Sequence, residues 1–271
     1  MLKKKLAIIG CGNMGQAFAE GILKARVFRA TDVIVTDASR QKLEAMKIKW
    51  KVNGTQDNTK AVKQADIILL AVKPQHMSEV LVSFKDSLKP HELILSIAAG
   101  YSISSIEKQL GSKRFPIVRI MPNLAAKVGM SISAWIGNSH VTKAQKGIVQ
   151  TILSAVGEQM EVKSEDMLNS VTAVSGSGPA YVFYFVEALI QSAVQLGFSP
   201  KEAELLVHHT LYGATGLLKD STLGAQGLRS AVTSKGGTTE AAIAHLEKEN
   251  FSRIIHEALV QAKKRANELR S

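Results

Sequence analysis

The chain has 271 residues, 45% hydrophobic and 21% charged, as in a soluble globular protein with enough length for one large domain or two modest ones. One cysteine, Cys11, excludes an internal disulfide framework and fits a reducing, cytoplasmic compartment, while the longest apolar run, residues 181–186, is cut by Glu187 and is too short for a membrane span. The net charge of +11 raises nucleic acid as a partner, but the Lys and Arg residues are spread out, aromatics are 5%, and no nucleic-acid signature is present, so attraction for small anions suffices.

The chain begins Met1-Leu2-Lys3-Lys4-Lys5, like the basic start of an export signal, but the apolar part covers only residues 6–9 and reads as a buried strand. That strand runs into Gly10-Cys11-Gly12-Asn13-Met14-Gly15, a G-x-G-x-x-G motif with a strand before it and a helix after it. The first Gly allows the tight turn, the second lets the backbone approach a pyrophosphate, and the third lets helix and strand pack closely. The helix carries Ala17, Phe18, Ala19, Ile22 and Leu23, and a second strand at 33–36 ends at Asp37. The pattern then repeats: helix 39–46, short strand 49–52, helix 58–64, strand 66–72, helix 78–84, strand 93–97, helix 103–110, strand 117–121. Such alternation predicts a parallel sheet with right-handed crossovers, hence an α/β fold with a Rossmann-type doubly wound sheet.

A further strand is expected at 129–136, a helix at 142–153 and a last strand at 158–162. From Ser164 onward strand signals vanish. Pro179 is read as the start of a helix reaching about residue 196 and apolar nearly all round. Helices at 202–219, 223–232, 239–249 and 251–270 follow. The expected organisation is a dinucleotide-binding domain over 1–163 and an all-α substrate-binding and dimerisation domain over 164–271. The helix that is apolar all round points to burial against another subunit, and burial within its own domain is the plainer alternative.

In a doubly wound sheet the ligand crevice lies at the carboxyl ends of the strands. Four segments end there: the Gly-rich turn, Ala71-Val72-Lys73-Pro74-Gln75, Ser96-Ile97-Ala98-Ala99-Gly100 and Met121-Pro122-Asn123. Ala98-Ala99-Gly100 is small enough for a nicotinamide ring to lie on the backbone, and Asn123 offers an amide. Asp37 favours the ribose 2′-hydroxyl of NAD, whereas Ser39 and Arg40 suit the 2′-phosphate of NADP; Ser39 also reads as a helix N-cap. The histidines are scattered, no metal site is expected, and the chemistry is assigned to the cofactor. Late in the chain, Leu228 to Glu240 is rich in Ser, Thr and Gly and is followed at once by an apolar helix from Ala241, a place for an anion or simply a cap and turn.

Taken together these motifs resemble the Δ1-pyrroline-5-carboxylate reductase family of proline biosynthesis, over essentially the whole chain. The resemblance rests on the Gly10–Gly15 turn, Ala71-Val72-Lys73-Pro74, Ile97-Ala98-Ala99-Gly100, Arg119-Ile120-Met121-Pro122-Asn123, the segment from Thr172 to Tyr181, and the loop ending in Thr239. It implies hydride transfer from NAD(P)H, with NADPH favoured over NADH, to C5 of pyrroline-5-carboxylate. It further implies that Ile9, Gly10, Cys11, Gly12, Asn13, Met14, Asn58, Ala71, Val72, Lys73, Pro74, Ile97, Ala98 and Ala99 line the dinucleotide. Gly15, Asp37, Ser39 and Arg40 join that set on the reading of the residues. Ser234, Gly237, Thr238, Thr239 and Asn123 are the expected substrate residues, with Thr239 as the catalytic hydroxyl at the ring nitrogen. The family's C-terminal helices interlock in a homodimer, in some members built up to a decamer. The chain departs from the usual Ser-Pro-Gly-Gly at Ser234-Lys235-Gly236-Gly237. The rivals are another imine or β-hydroxyacid reductase on the same fold, and a non-catalytic dinucleotide sensor or nucleic-acid binder.

Overall fold

The structure, a computed structural model, describes residues 1–112 and 114–269. It divides into two compact units, one of Met1–Pro179 with the end of the last helix from Ala262, the other of Ala180–Gln261.

The first unit is built on eight strands: β1 (Leu6–Ile9), β2 (Val33–Thr36), β3 (Asn53–Thr55), β4 (Ile67–Leu70), β5 (Leu93–Ser96), β6 (Ile117–Met121), β7 (Ser131–Gly137) and β8 (Gly157–Glu161). Their order is β3-β2-β1-β4-β5-β6-β7-β8, so the first six follow the doubly wound dinucleotide order. The direction of progression reverses between β1 and β4, which opens a crevice at their carboxyl ends. β1, β4 and β5 are buried along their whole length, as four-residue runs of Ile, Leu and Ala with a single Ser, Ser96, must be when helices cover both faces. Helices α1 (Asn13–Lys24), α2 (Arg40–Trp50), α3 (Asn58–Val62), α4 (Met77–Phe84), α5 (Ile103–Leu110) and α6 (Lys143–Ser154) supply that cover. One core gathers Phe18, Ile22, Val35, Leu69, Trp135 and Leu153 on one face, and another Ile9, Ile68, Leu81, Phe84 and Ile106 on the other.

Three local expectations change. The short strand expected at 49–52 is shifted to β3, because α2 continues through Trp50 and ends only where Lys51 turns left-handed at φ 56°. β7 pairs antiparallel with β6. Only nine residues join the two strands, fewer than a parallel crossover needs. The helix read as starting at Pro179 begins at α7 (Glu165–Val171), capped by the Ser164 side chain. It passes through a π-turn at Thr172–Gly176, where the Ser177 N–H donates to the Thr172 carbonyl at 2.8 Å, and continues as α8 (Gly178–Gln195). Pro179 lacks an N–H and its ring collides with the carbonyl four residues back in a regular α-helix; the wider turn just upstream relieves this.

The second unit consists of most of α8, then α9 (Pro200–Asp220), α10 (Gly224–Ala231), α11 (Thr238–Lys248) and the greater part of α12 (Phe251–Glu268). Arg270, placed above in the last helix, lies outside the described residues. Among the described residues only Ala203 and Val207 of this unit are buried, while Phe183, Tyr184, Leu205, Tyr212, Leu217 and Ile254 are each more than half exposed. The helical run Glu165–Gln195 has a mean hydropathy of 1.2 and is long and apolar enough to cross a membrane by length and composition. Its large apolar side chains are those exposed on α8, so it carries a face that needs a cover.

Candidate active site

The sequence of the Gly-rich turn dictates its shape. Gly10 has φ 105°, and a Cβ there would lie 2.8 Å from the Ala71 carbonyl oxygen. A Cβ on Gly15 would lie 2.0 Å from the Gly10 carbonyl oxygen. The end of β1, the end of β4 and the first turn of α1 therefore approach to a distance that only glycines permit. Gly12 differs: no atom lies within 4 Å of a Cβ placed on it, so it faces open space. It is the N-cap of α1 and supplies no side-chain cap, which leaves the first-turn N–H groups without a partner inside the helix. A backbone cradle with open space above it and a helix N-terminus beneath fits a pyrophosphate.

Asp37 ends β2 and holds this turn. Its Oδ2 accepts from the Cys11 N–H at 2.8 Å and its Oδ1 from the Ser39 N–H at 2.9 Å, with the Lys42 ammonium 3.7 Å away. Sequence reasoning offered Asp37 as a ribose reader and missed this second task. Ser39 caps α2 by accepting from the Lys42 N–H at 3.4 Å, and Arg40 follows it, exposed, in the first turn. Asn58 opens α3, its Oδ1 accepting from the Thr36 hydroxyl at 2.7 Å and its Nδ2 donating to the Ser83 hydroxyl at 3.3 Å. Ala71, Val72, Lys73 and Pro74 leave β4; Ile97, Ala98 and Ala99 leave β5. Asn123 leaves β6, and its Oδ1 caps the 3-10 turn Leu124–Val128 by accepting from the Ala125 N–H at 3.2 Å. All these residues gather at the carboxyl ends of the strands. A cavity of about 620 Å³ at the amino ends, lined by Lys3, Lys5, Arg29 and Lys89 among others, holds none of them.

Cys11 points into the core rather than the crevice. It is 1% exposed, and its Sγ lies 3.5 Å from the Thr36 carbonyl oxygen. Burial first, and the Asp37 carboxylate second, push its thiol up to about 12. A thiol whose folded pKa is raised favours the folded state while protonated, so this contribution is present below about pH 9 and is lost as pH rises from about 9 toward about 12. The expected result is no labelling of the native protein by a thiol-specific disulfide reagent at pH 8, and one thiol per chain labelled in denaturant. Full labelling of the native protein at pH 8 would contradict the buried placement.

In the second unit, Ser234-Lys235-Gly236-Gly237 forms a tight turn in which the Gly237 N–H donates to the Ser234 carbonyl at 3.0 Å. Gly236 has φ 73° and Lys235 is not left-handed, which is the signature of a type II turn. Lys235 occupies the position that proline favours in such turns, and it retains the turn without the φ restraint that a proline would supply. Because the Gly237 N–H is already used, the first-turn donors of α11 without a partner among the described residues are those of Thr238, Thr239 and Glu240. The Glu240 carboxylate reaches back to accept from the Gly236 N–H at 2.7 Å and fixes the turn, a role not foreseen for it. Its signal was an acidic residue at the third position of a helix. Among the described residues the Thr238 and Thr239 hydroxyls have no hydrogen-bond partner.

Comparison with known proteins agrees with this layout. A family model described as pyrroline-5-carboxylate reductase dimerisation matches residues 165–269, and one described as NADP oxidoreductase coenzyme F420-dependent matches residues 5–100. The pyrroline-5-carboxylate reductase of Pseudomonas aeruginosa is 36% identical, covering 99% of this chain and 98% of its own length. The structure of a pyrroline-5-carboxylate reductase from Coxiella burnetii superposes with a TM-score of 0.93 at 39% identity, covering 100% of both chains. A Plasmodium falciparum pyrroline carboxylate reductase with NADP bound gives 0.89 at 31% identity, again covering 100% of both chains.

Proposed function

The chain belongs to the pyrroline-5-carboxylate reductase family, and from that membership we infer that it reduces 1-pyrroline-5-carboxylate to L-proline, the last step of proline biosynthesis. Full-length similarity to enzymes of that name carries the reading, and the open backbone cradle at Gly12 supports a dinucleotide in the crevice.

Bound there, the reduced nicotinamide supplies a hydride to C5 of the cyclic imine. The chain's own residues do the rest. Gly10 and Gly15 hold β1, β4 and α1 close enough to leave a phosphate seat above Gly12. Asp37 locks that turn through the Cys11 N–H. Ala71, Val72, Pro74 and Ile97 to Ala99 present small or apolar surface at the strand ends, with exposed Lys73 among them. The substrate carboxylate is assigned to the Thr238 and Thr239 N–H groups at the start of α11, a charge-assisted contact at a helix N-terminus. The Thr239 hydroxyl hydrogen-bonds the ring nitrogen, which gains a proton as C5 gains hydride; a threonine is a weak acid, so solvent delivers the proton.

NADPH is the proposed cofactor. Both Asp37 oxygens already accept backbone N–H groups, and exposed Arg40, at the start of α2, can reach a 2′-phosphate. The active form is a homodimer in which the exposed apolar faces of α8 and α9 are covered by a second copy, as the match to a dimerisation family supports. The test is oxidation of NADPH, and separately NADH, with pyrroline-5-carboxylate: faster loss of NADPH is expected, and loss of neither rejects the reading. Thr239→Val should lower kcat roughly tenfold to a hundredfold while leaving NADPH affinity unchanged. Unchanged turnover in that variant removes the hydroxyl from the mechanism.

A further inference from the structure

One cation beside the crevice is not accounted for by the family motifs. Lys127 lies on the 3-10 turn Leu124–Val128, which packs against α1 and is anchored by buried Ala126. Its Nζ donates to the Asn13 Oδ1 at 3.2 Å, and Asn13 is the first residue of α1, directly after Gly12. Among the described residues Lys127 forms no ion pair; its one partner is a neutral amide oxygen. An ammonium at the N-terminus of a helix sits at the wrong end of the helix dipole. Two positive sources, the first-turn N–H groups and the Lys127 ammonium, thus meet beside the open space over Gly12. An anion seated there relieves both.

We propose that Lys127 is a dinucleotide-binding residue that contacts the pyrophosphate beside the first turn of α1, with Asn13 holding its ammonium in place. The proposal rests on the functional reading above, which puts a dinucleotide in this crevice. It assigns to the turn after β6 a direct part in cofactor binding, beyond its Asn123 end. The contact is with the pyrophosphate, common to both cofactors, and not with the 2′-phosphate, whose seat is by Arg40.

Lys127→Gln keeps a donor and removes the charge; Lys127→Arg keeps the charge. Dissociation constants for NADPH and NADH are measured by fluorescence titration on the full-length protein. Lys127→Gln should weaken both by roughly tenfold at low ionic strength, with the gap from wild type narrowing as salt is raised. Lys127→Arg should restore most of the loss. The melting temperature of the protein without nucleotide should not move in either variant, which separates this from a mere latch between the 3-10 turn and α1. Unchanged affinity in Lys127→Gln overturns the proposal. So does a loss confined to NADPH, which places the lysine on the 2′-phosphate, or a rise in KM for pyrroline-5-carboxylate alone, which places it on the substrate. A wild-type protein that binds neither nucleotide overturns the functional reading itself, and this proposal with it.

Discussion

Arg119→Met should cost about 3 kcal/mol of stability and lower the melting temperature by roughly 6–12 °C. Arg119 sits in β6, 2% exposed, and its Nη1 donates to Glu165 Oε1 at 2.9 Å. The same oxygen accepts from the Ile103 N–H at 3.1 Å, so one carboxylate joins β6, the start of α5 and the first turn of α7. Removing the guanidinium takes away the charged partner of Glu165, and the loss is that of breaking a largely buried pair. The lower end of the usual 3–5 kcal/mol range applies because the Glu165 side chain keeps 17% of its exposure. Removing both charges is a different experiment. Arg119→Met with Glu165→Leu should recover most of the stability, because apolar groups of similar volume carry no desolvation cost. Thermal melting of the two single variants and the double variant gives the coupling. A single variant within about 1 kcal/mol of wild type would show that the pair is not what ties the three elements together. β6 leads directly into Pro122-Asn123, so a loosened β6 should also raise the KM for substrate.

The sequence made the outline of the sheet legible because its central strands are short apolar runs alternating with helical ones, and strand-end loops follow from that. The Gly10–Gly15 turn was legible too: Gly10 and Gly15 answer a steric demand of the neighbouring strand and helix, and Gly12 leaves the approach to the backbone open. What escaped was whatever depends on partners distant in the chain. The second task of Asp37 escaped because nothing local says that its carboxylate will meet the Cys11 N–H, 26 residues away. Arg119 and Glu165 are 46 residues apart, and neither has a local signature. Lys127 and Asn13 are 114 residues apart. Local conformation also misled where two signals competed. Lys49 to Val52 is β-prone by composition, but the helix before it runs on until Lys51 adopts a left-handed cap. Pro179 reads as a helix start wherever the upstream turn is not known to be wide. The loop ending in Thr239 was legible as a donor-rich helix start, yet only the folded turn shows that Gly237 has already given its N–H to the Ser234 carbonyl.

The Gly-rich turn yields a sharper contrast, because its glycines are there for different reasons. Gly15→Ala puts a Cβ 2.0 Å from the Gly10 carbonyl oxygen, which no rotamer change relieves, since both groups are backbone. Either α1 moves away from β1 or Gly10 moves, and Gly10 is itself held at φ 105° against the Ala71 carbonyl. The expected loss is about 1–3 kcal/mol of stability from overpacking, with NADPH affinity down by at least about a hundredfold because the first-turn N–H groups leave their positions. Gly12→Ala should behave otherwise. Its backbone, at φ −72°, suits alanine, and the new Cβ meets nothing. The variant should therefore melt with wild type in the absence of nucleotide, yet bind NADPH weakly, because the methyl group stands in the space through which the pyrophosphate approaches the backbone. Melting curves without nucleotide and dissociation constants for NADPH separate the two outcomes. If Gly12→Ala binds NADPH as wild type does, the phosphates do not pass over Gly12, and the assignment of the cradle fails. If Gly15→Ala is as stable as wild type, α1 is free to shift, and the close approach at Gly10 is not what fixes the turn.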